Sequence, residues 1–278
     1  MGRGLALTKR RMKSVDSTRK ITNAMKLVAT AKLKKWKNTM EESSLFSNTL
    51  ITLINDVFSK IESSDSPYIK ENDVNKKLYI VVVSTLGLCG GYNYNLFKLA
   101  DSLIKEEDDI IIIGGKGLYH FKGHQADVNL DYLDLCDHLD DKIITLLCNK
   151  ILYDYKKEKY QSVNLIYTKY VNSLTFTPTN MKILPLGVKK EEKYSVDIIL
   201  EPTPKQLFKS LIPFYVKSAI YSKLLETIVS EQASRRTAME NATNNANEIF
   251  DELQIEYNKE RQAQITQEIT EVVGGANK

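Results

Sequence analysis

Proline and glycine are missing from two long stretches of this chain. Residues 5–66 and 214–273 contain neither, although the 278 residues include 12 glycines and 6 prolines. Their absence excludes the usual turn chemistry and leaves each stretch, about 60 residues long, free to run as one helix. Cysteine is scarce: Cys89, Cys136 and Cys148 match no metal or redox spacing, which excludes a disulfide framework and points to a reducing compartment. No run of 18 apolar residues occurs, so no membrane-spanning helix is expected. Acid is nearly missing from residues 1–40, where 12 Lys/Arg face Asp16 alone, so the net charge of +4 conceals a strongly basic start. Such a start can mimic a transit peptide. Here the helical pattern runs on past Trp36 to Phe58 without a cleavage-like break, and the expectation is a mature N-terminus. The basic run reads either as a solvated helix face or as a surface for an acidic protein, nucleic acid or lipid.

The apolar residues in both stretches follow the helical period. Met25, Ala29, Leu33, Trp36 and Met40 lie on one face, continued by Phe46, Leu50, Ile54, Val57 and Ile61. In the second stretch Leu225, Val229, Gln232, Arg236, Met239, Ala246, Ile249, Leu253 and Tyr257 keep the same spacing. In the run 230–248 the inward positions are Ala233, Ala238, Met239, Ala242 and Ala246, and the polar residues read as an outer surface. Each rod, about 90 Å long, needs a partner for its apolar stripe, and the nearest is the other rod. Both join the same intervening domain, so they must run antiparallel, with paired positions summing to roughly 264–270. Leu5 then falls near residue 260 and Met25 near Met239. The last residues have no partner helix, which leaves Ile265, Ile269, Val272 and Val273 as a stripe for another molecule.

Between the rods, strand-like and helix-like runs alternate. Strands are expected at 78–83, 110–113, 128–130, 163–169, 181–184 and 196–200, and helices at about 95–105 and 141–157. This is the pattern of an open, partly parallel sheet covered by helices. Residues 62–76 close the first rod. Glu201-Pro202-Thr203-Pro204 closes the domain, a first helical piece follows at 207–212, and Pro213 either opens the second rod or kinks it.

Chemistry is sparse. Gly87-Leu88-Cys89-Gly90-Gly91 follows the first strand, but it is not G-x-G-x-x-G, no acid ends the second strand at Gly114-Gly115-Lys116-Gly117, and neither turn is a phosphate loop. The two turns read as tight strand-to-helix connections. His120 and His124 stand four apart, a possible metal pair that lacks the usual glutamate. His138 sits among Asp137, Asp140 and Asp141 and reads as surface. No Ser/His/Asp or Cys/His set can be assembled from spacing.

Four motifs resemble one family. Ile21-Thr22-Asn23-Ala24-Met25-Lys26-Leu27-Val28-Ala29, the turn from Gly87 to Leu96, the run Ser230-Glu231 through Arg235 to Ala246, and Tyr257 through Gln262 to Ile269 are similar to the signatures of the gamma subunit of F-type ATP synthases. They occur in the family's order over nearly the whole chain. Where that family carries an acid and a base before the central glycine, this chain has Thr85 and Leu86. The resemblance implies a fold, an α/β chain whose N- and C-termini form a long antiparallel two-helix coiled coil around an inserted Rossmann-like open α/β domain. The corresponding segments are 1–62, 77–204 and 207–278. It also implies a role as the central rotor that couples proton-driven turning of the c ring to the catalytic beta sites, without catalytic residues, cofactor or metal of its own. The implied partners are three alpha and three beta subunits, epsilon and the c ring, at the cytoplasmic face of a bacterial membrane; no nucleic acid is implied. Carried over residue by residue, Met25, Arg235, Gln262, Thr266 and Glu268 face a beta loop, and Ile265, Ile269, Val272 and Val273 sit in the ring's sleeve. Two other readings stand beside it: a binder of nucleic acid or membrane surfaces using Lys9, Arg10, Arg11 and Lys13, and an enzyme built on the inserted sheet.

Overall fold

The computed structural model describes residues 2–59, 61, 66–123, 127–187, 201 and 203–275. In chain order the elements are α1 (Gly2–Ser59), β1 (Leu78–Val82), α2 (Tyr92–Leu103), β2 (Asp109–Ile113), α3 (Lys116–Phe121) and β3 (Asp127–Asn129). They continue with α4 (Leu135–His138), α5 (Asp141–Lys156), β4 (Val163–Tyr170), β5 (Phe176–Leu184) and α6 (Pro204–Gly275). The two segments without internal glycine or proline turns thus form helices of 58 and 72 residues. The chain folds into two compact units, one of residues 32–234 and one made of residues 1–31 with 235–278.

The larger unit holds a five-stranded sheet in the order β3-β2-β1-β4-β5. The pairings β2–β3, β1–β2 and β1–β4 are parallel, and β4–β5 is an antiparallel hairpin pair. β1 (LYIVV) and β2 (DIIII) are buried at every position, as runs of β-branched residues covered on both faces should be. The alternation of the pleat divides their side chains between two cores. On one face Leu78, Ile80, Val82, Ile111 and Ile113 pack with α5 and with the adjoining parts of both long helices, through residues such as Ile54, Val57, Ile212, Val216 and Ile220. On the other face Tyr79, Val81, Val83, Ile110 and Ile112 meet Leu96 and Ala100 of α2 and Phe121 of α3. A third cluster joins Leu33 and Met40 of α1 to Leu225, Val229 and Ala233 of α6, with Trp36 packed against it.

In the smaller unit, α1 and α6 run antiparallel. Thr22 meets Thr243 through their hydroxyls at 2.8 Å, the Arg19 guanidinium lies over the Phe250 ring, and the Gly4 backbone closes on Glu260. A side chain at Gly4 would come within 3.2 Å of the Glu260 carboxylate. These pairs sum to 264–269, inside the register expected from the topology.

Several local expectations are corrected. Phe46 is exposed, and the half-buried positions of that turn are Ser43, Ser44 and Ser47. Pro213 does not open the second rod: α6 starts at Pro204, where proline suits the first turn, and Pro213 lies inside it. Thr203 supplies the start, its hydroxyl accepting from the Gln206 amide at 3.3 Å. β5 begins at Phe176, five residues before the apolar signal, because an edge strand can keep Pro178 and polar residues on its open side. α2 begins at Tyr92, three residues early, and α3 and α4 were not expected. The strand expected at 196–200 and the metal partner His124 lie outside the described residues.

Candidate functional site

In an open parallel sheet the natural ligand crevice lies beyond the C-terminal ends of the strands, where the strand order reverses. Here that point falls between β1 and β4, and the glycine-rich turn leaves β1 toward it. Asn93 braces the turn: its Oδ1 accepts from the Ser84 amide at 3.1 Å and its Nδ2 donates to Ser84 Oγ at 2.7 Å. Leu88 and Gly90 both take left-handed backbone angles, with φ of 62° and 60°. The left-handed region is unfavourable for leucine, by about 1–2 kcal/mol. The second turn is as constrained, since Gly114 has φ 107° and a Cβ there would sit 2.1 Å from the Val83 carbonyl oxygen.

The crevice is filled by the protein's own helix. Tyr92 Oη donates to the Thr227 carbonyl at 3.3 Å, Ser230 Oγ to the Thr168 carbonyl at 3.1 Å, and Ser234 Oγ to the Cys89 carbonyl at 2.7 Å. The Tyr170 amide donates to Glu226 Oε1 at 3.1 Å, and Lys223 Nζ donates to Glu226 Oε2 at 2.8 Å. Residues 223–234 of α6 therefore lie across the ends of β4 and the turn after β1. The carbonyls of Thr168 and Cys89 at this crevice are thus taken up by hydroxyls of the chain's own helix. Burial, then the nearby Glu231 charge, pushes the Tyr92 hydroxyl well up, so it remains a donor. Burial opposes the charge on Lys223, but its bond to Glu226 and the carboxylate charge outweigh this and raise its pKa. Reading Ser230 and Ser234 as outer surface was wrong: both are buried against the sheet. Their partners are main-chain carbonyls 62 and 145 residues away, which no sequence period encodes.

The residues carried over from the resemblance lie in the smaller unit. Arg235 is buried, Met25 half-buried, and Gln262, Thr266 and Glu268 exposed. Arg235 and Gln262 are 27 residues apart on one continuous helix, about 40 Å, so they are two separate stations rather than one cluster. Gln262 and Thr266 share a face, and the Thr266 hydroxyl donates back to the Gln262 carbonyl at 2.9 Å. Glu268 is rotated by about a third of a turn from Gln262 and nearly half a turn from Thr266, and it accepts from Gln264 at 2.8 Å. Ile265, Ile269, Val272 and Val273 are exposed, Val272 to 72%. Farther along the same unit Ile21, Leu27, Val28 and Ile255 are also exposed.

The remaining candidates are accounted for locally. His120 bonds Asp101 at 2.8 Å and stacks on Phe97 with ring centroids 4.0 Å apart. His138 ends α4 and is exposed. Among the described residues no group of three or more His, Cys, Asp or Glu is placed to hold a metal ion, and no helix is long and apolar enough to cross a membrane. All three cysteines are buried thiols, and burial raises the Cys148 thiol to about 12.

With this geometry in place, comparison with known proteins is informative. The family model described as ATP synthase matches residues 4–278. The ATP synthase gamma chain of Clostridium kluyveri is 38% identical over 278 residues, covering 99% of this chain and 98% of that protein. The protein of Acetobacterium woodii named ATP synthase gamma chain, sodium ion specific, is 36% identical and covers 96% of each. Among solved structures, the rotor of the Euglena gracilis mitochondrial ATP synthase in rotational state 1 superposes with a TM-score of 0.63 at 16% identity, covering 95% of this chain and 100% of that one. The structural likeness speaks for the fold; the full-length sequence matches speak for the family. The chain belongs to the ATP synthase gamma chain family.

Proposed function

We propose that this chain is the central rotor of an ATP synthase, turned by proton flow through a c ring. As the paired helices turn inside a ring of three alpha and three beta subunits, they drive the beta catalytic sites through their conformations in sequence. Catalysis belongs to beta, and this chain supplies the moving surface. Epsilon and the c ring hold the larger unit, so the chain is peripheral to the cytoplasmic face of a bacterial membrane. One observation carries the reading: the smaller unit leaves Ile21, Val28, Ile255, Ile265, Ile269 and Val272 uncovered on two helices. A helical pair that exposes this much apolar surface is built to be enclosed by another protein. Torque also suits a long rod, because an exposed ion pair is worth about 0–1 kcal/mol and a membrane potential delivers about 2.3 kcal/mol per charge per 100 mV. The load must be spread over many contacts.

The test is to mix the full chain with alpha and beta subunits. The expected result is closure of a six-membered ring around it and a rise in ATP turnover; a ring that closes and turns over equally well without it would refute the reading. Adding the membrane sector separates the driving ion: synthesis should follow a proton gradient and not a sodium gradient. Arg235→Ala and Gln262→Ala are expected to weaken coupling while leaving the chain folded. Undiminished synthesis by the assembled double variant would remove those two residues from the rotor contact.

A further inference from the structure

The contacts of α6 with the sheet combine apolar packing with directed hydrogen bonds. Leu33 and Met40 of α1 meet Leu225, Val229 and Ala233 in an apolar cluster, a kind of contact that resists separation but yields to sliding. The sheet domain adds directed bonds to α6 spread over a little more than two turns. Glu226 accepts from the Tyr170 amide, Tyr92 donates to Thr227, Ser230 to Thr168, and Ser234 to Cys89. Tyr92, Thr227, Ser230 and Thr168 are each less than 4% exposed, so the Tyr92–Thr227 and Ser230–Thr168 bonds are shielded from water. Three of the four run from a side chain to a main-chain carbonyl. Rotation of α6 about its axis by even one residue, about 100°, would break all of them together.

We propose that this hydrogen-bonded clasp between the switch point of the sheet and residues 226–234 of α6 fixes the helix against twisting, and that torque enters α6 there rather than through α1. Ser230, Ser234 and Tyr92 are positioning residues: they touch no substrate and act by holding α6 in rotational register. The inference rests on the rotor reading above, because only a loaded shaft needs such a lock. It gives a role within this chain to three hydroxyls of the quoted motifs, since each joins α6 to the sheet domain.

The test uses the complete assembled complex with Tyr92→Phe, Ser230→Ala and Ser234→Ala, singly and together. Two activities are measured: ATP synthesis driven by the ion gradient, where the shaft is loaded, and ATP hydrolysis by the detached catalytic sector, where it is not. Losing one such bond favours slip by about fivefold, and losing three by about a hundredfold. The ratio of synthesis to unloaded hydrolysis should therefore fall several-fold in each single variant and most in the triple, with hydrolysis near the wild-type rate. Tyr92→Phe removes one oxygen and keeps the ring, so it decides the matter should the triple variant fail to assemble. A wild-type ratio in Tyr92→Phe and in both serine variants would overturn the clasp. So would a larger fall in Leu33→Ala and Met40→Ala than in the clasp variants, since torque would then pass through α1. Failure of the rotor reading itself looks different: the wild-type chain would neither join the ring nor stimulate it.

Discussion

Thr22 and Thr243 offer a quantitative test of the antiparallel register. Their hydroxyl oxygens are 2.8 Å apart, Thr243 Oγ1 is also 2.7 Å from the Met239 carbonyl, and Thr22 Oγ1 is 3.1 Å from the Arg19 carbonyl. Two protons serve these three contacts, so one hydroxyl always donates across the pair while the other donates within its own helix. Thr→Val keeps the shape and removes the hydroxyl. In either single variant the surviving threonine turns its proton back to its own helix and leaves a buried oxygen facing a methyl group. The expected cost is about 1 kcal/mol for each single variant. The double variant replaces the polar pair by two methyl groups, orphans nothing, and should also cost about 1 kcal/mol or less. The singles then fail to add by about 1 kcal/mol in a double-mutant cycle. Urea denaturation of the full chain, followed by helical circular dichroism, measures each corner. Single-variant losses that add within about 0.3 kcal/mol would mean that the two hydroxyls do not meet, and the register would be wrong.

Other outcomes follow from the same packing. Gly114→Ala should lower stability by at least about 3 kcal/mol, because the methyl would sit 2.1 Å from the Val83 carbonyl oxygen at a φ of 107°; a melting temperature near wild type would contradict this. Burial works against the Asp109 charge, but ion pairs with Lys76 at 2.6 Å and Lys159 at 3.2 Å and a hydrogen bond from Tyr160 at 2.8 Å together hold its pKa below the usual carboxylate value. A depressed carboxylate contributes stability that is present above its unfolded pKa and is lost as pH falls through the folded value. Asp109→Asn should therefore cost about 1–3 kcal/mol at neutral pH, with the gap to wild type closing below about pH 4; a pH-independent gap would refute the ionic origin. Cys89, Cys136 and Cys148 are buried thiols, so iodoacetamide at neutral pH should label none in the folded chain and all three in urea. Labelling of native Cys148 at the rate of an exposed thiol would contradict its packing.

The long helices were legible because the missing turn residues and the spacing of Ala29, Leu33 and Met40 both report local structure. The inner strands were legible for a similar reason, since a run such as Ile110–Ile113 has few alternatives once it is buried. The legibility ends where tertiary contacts decide. Phe46 fits the helical stripe in sequence, yet the helix turns it to solvent while Ser43 and Ser47 face inward. Pro213 is a plausible opening for the second rod by sequence, yet the helix already runs from Pro204. The site shows the same division. The stripe of Ile265, Ile269, Val272 and Val273 is legible in the helical spacing of its apolar residues, and all four are exposed. The clasp is not legible there, because Ser230 and Ser234 resemble any small residues on a helix until the carbonyls of Thr168 and Cys89 are brought to them.

The rotor claim is tested most directly by watching the chain move. With the alpha–beta ring fixed to a surface and a bead attached through Lys98→Cys on the exposed side of α2, ATP should drive the bead in one direction with threefold pauses. A bead that only fluctuates about a fixed angle while the same molecules hydrolyse ATP would show that this chain does not turn, and the account would fail.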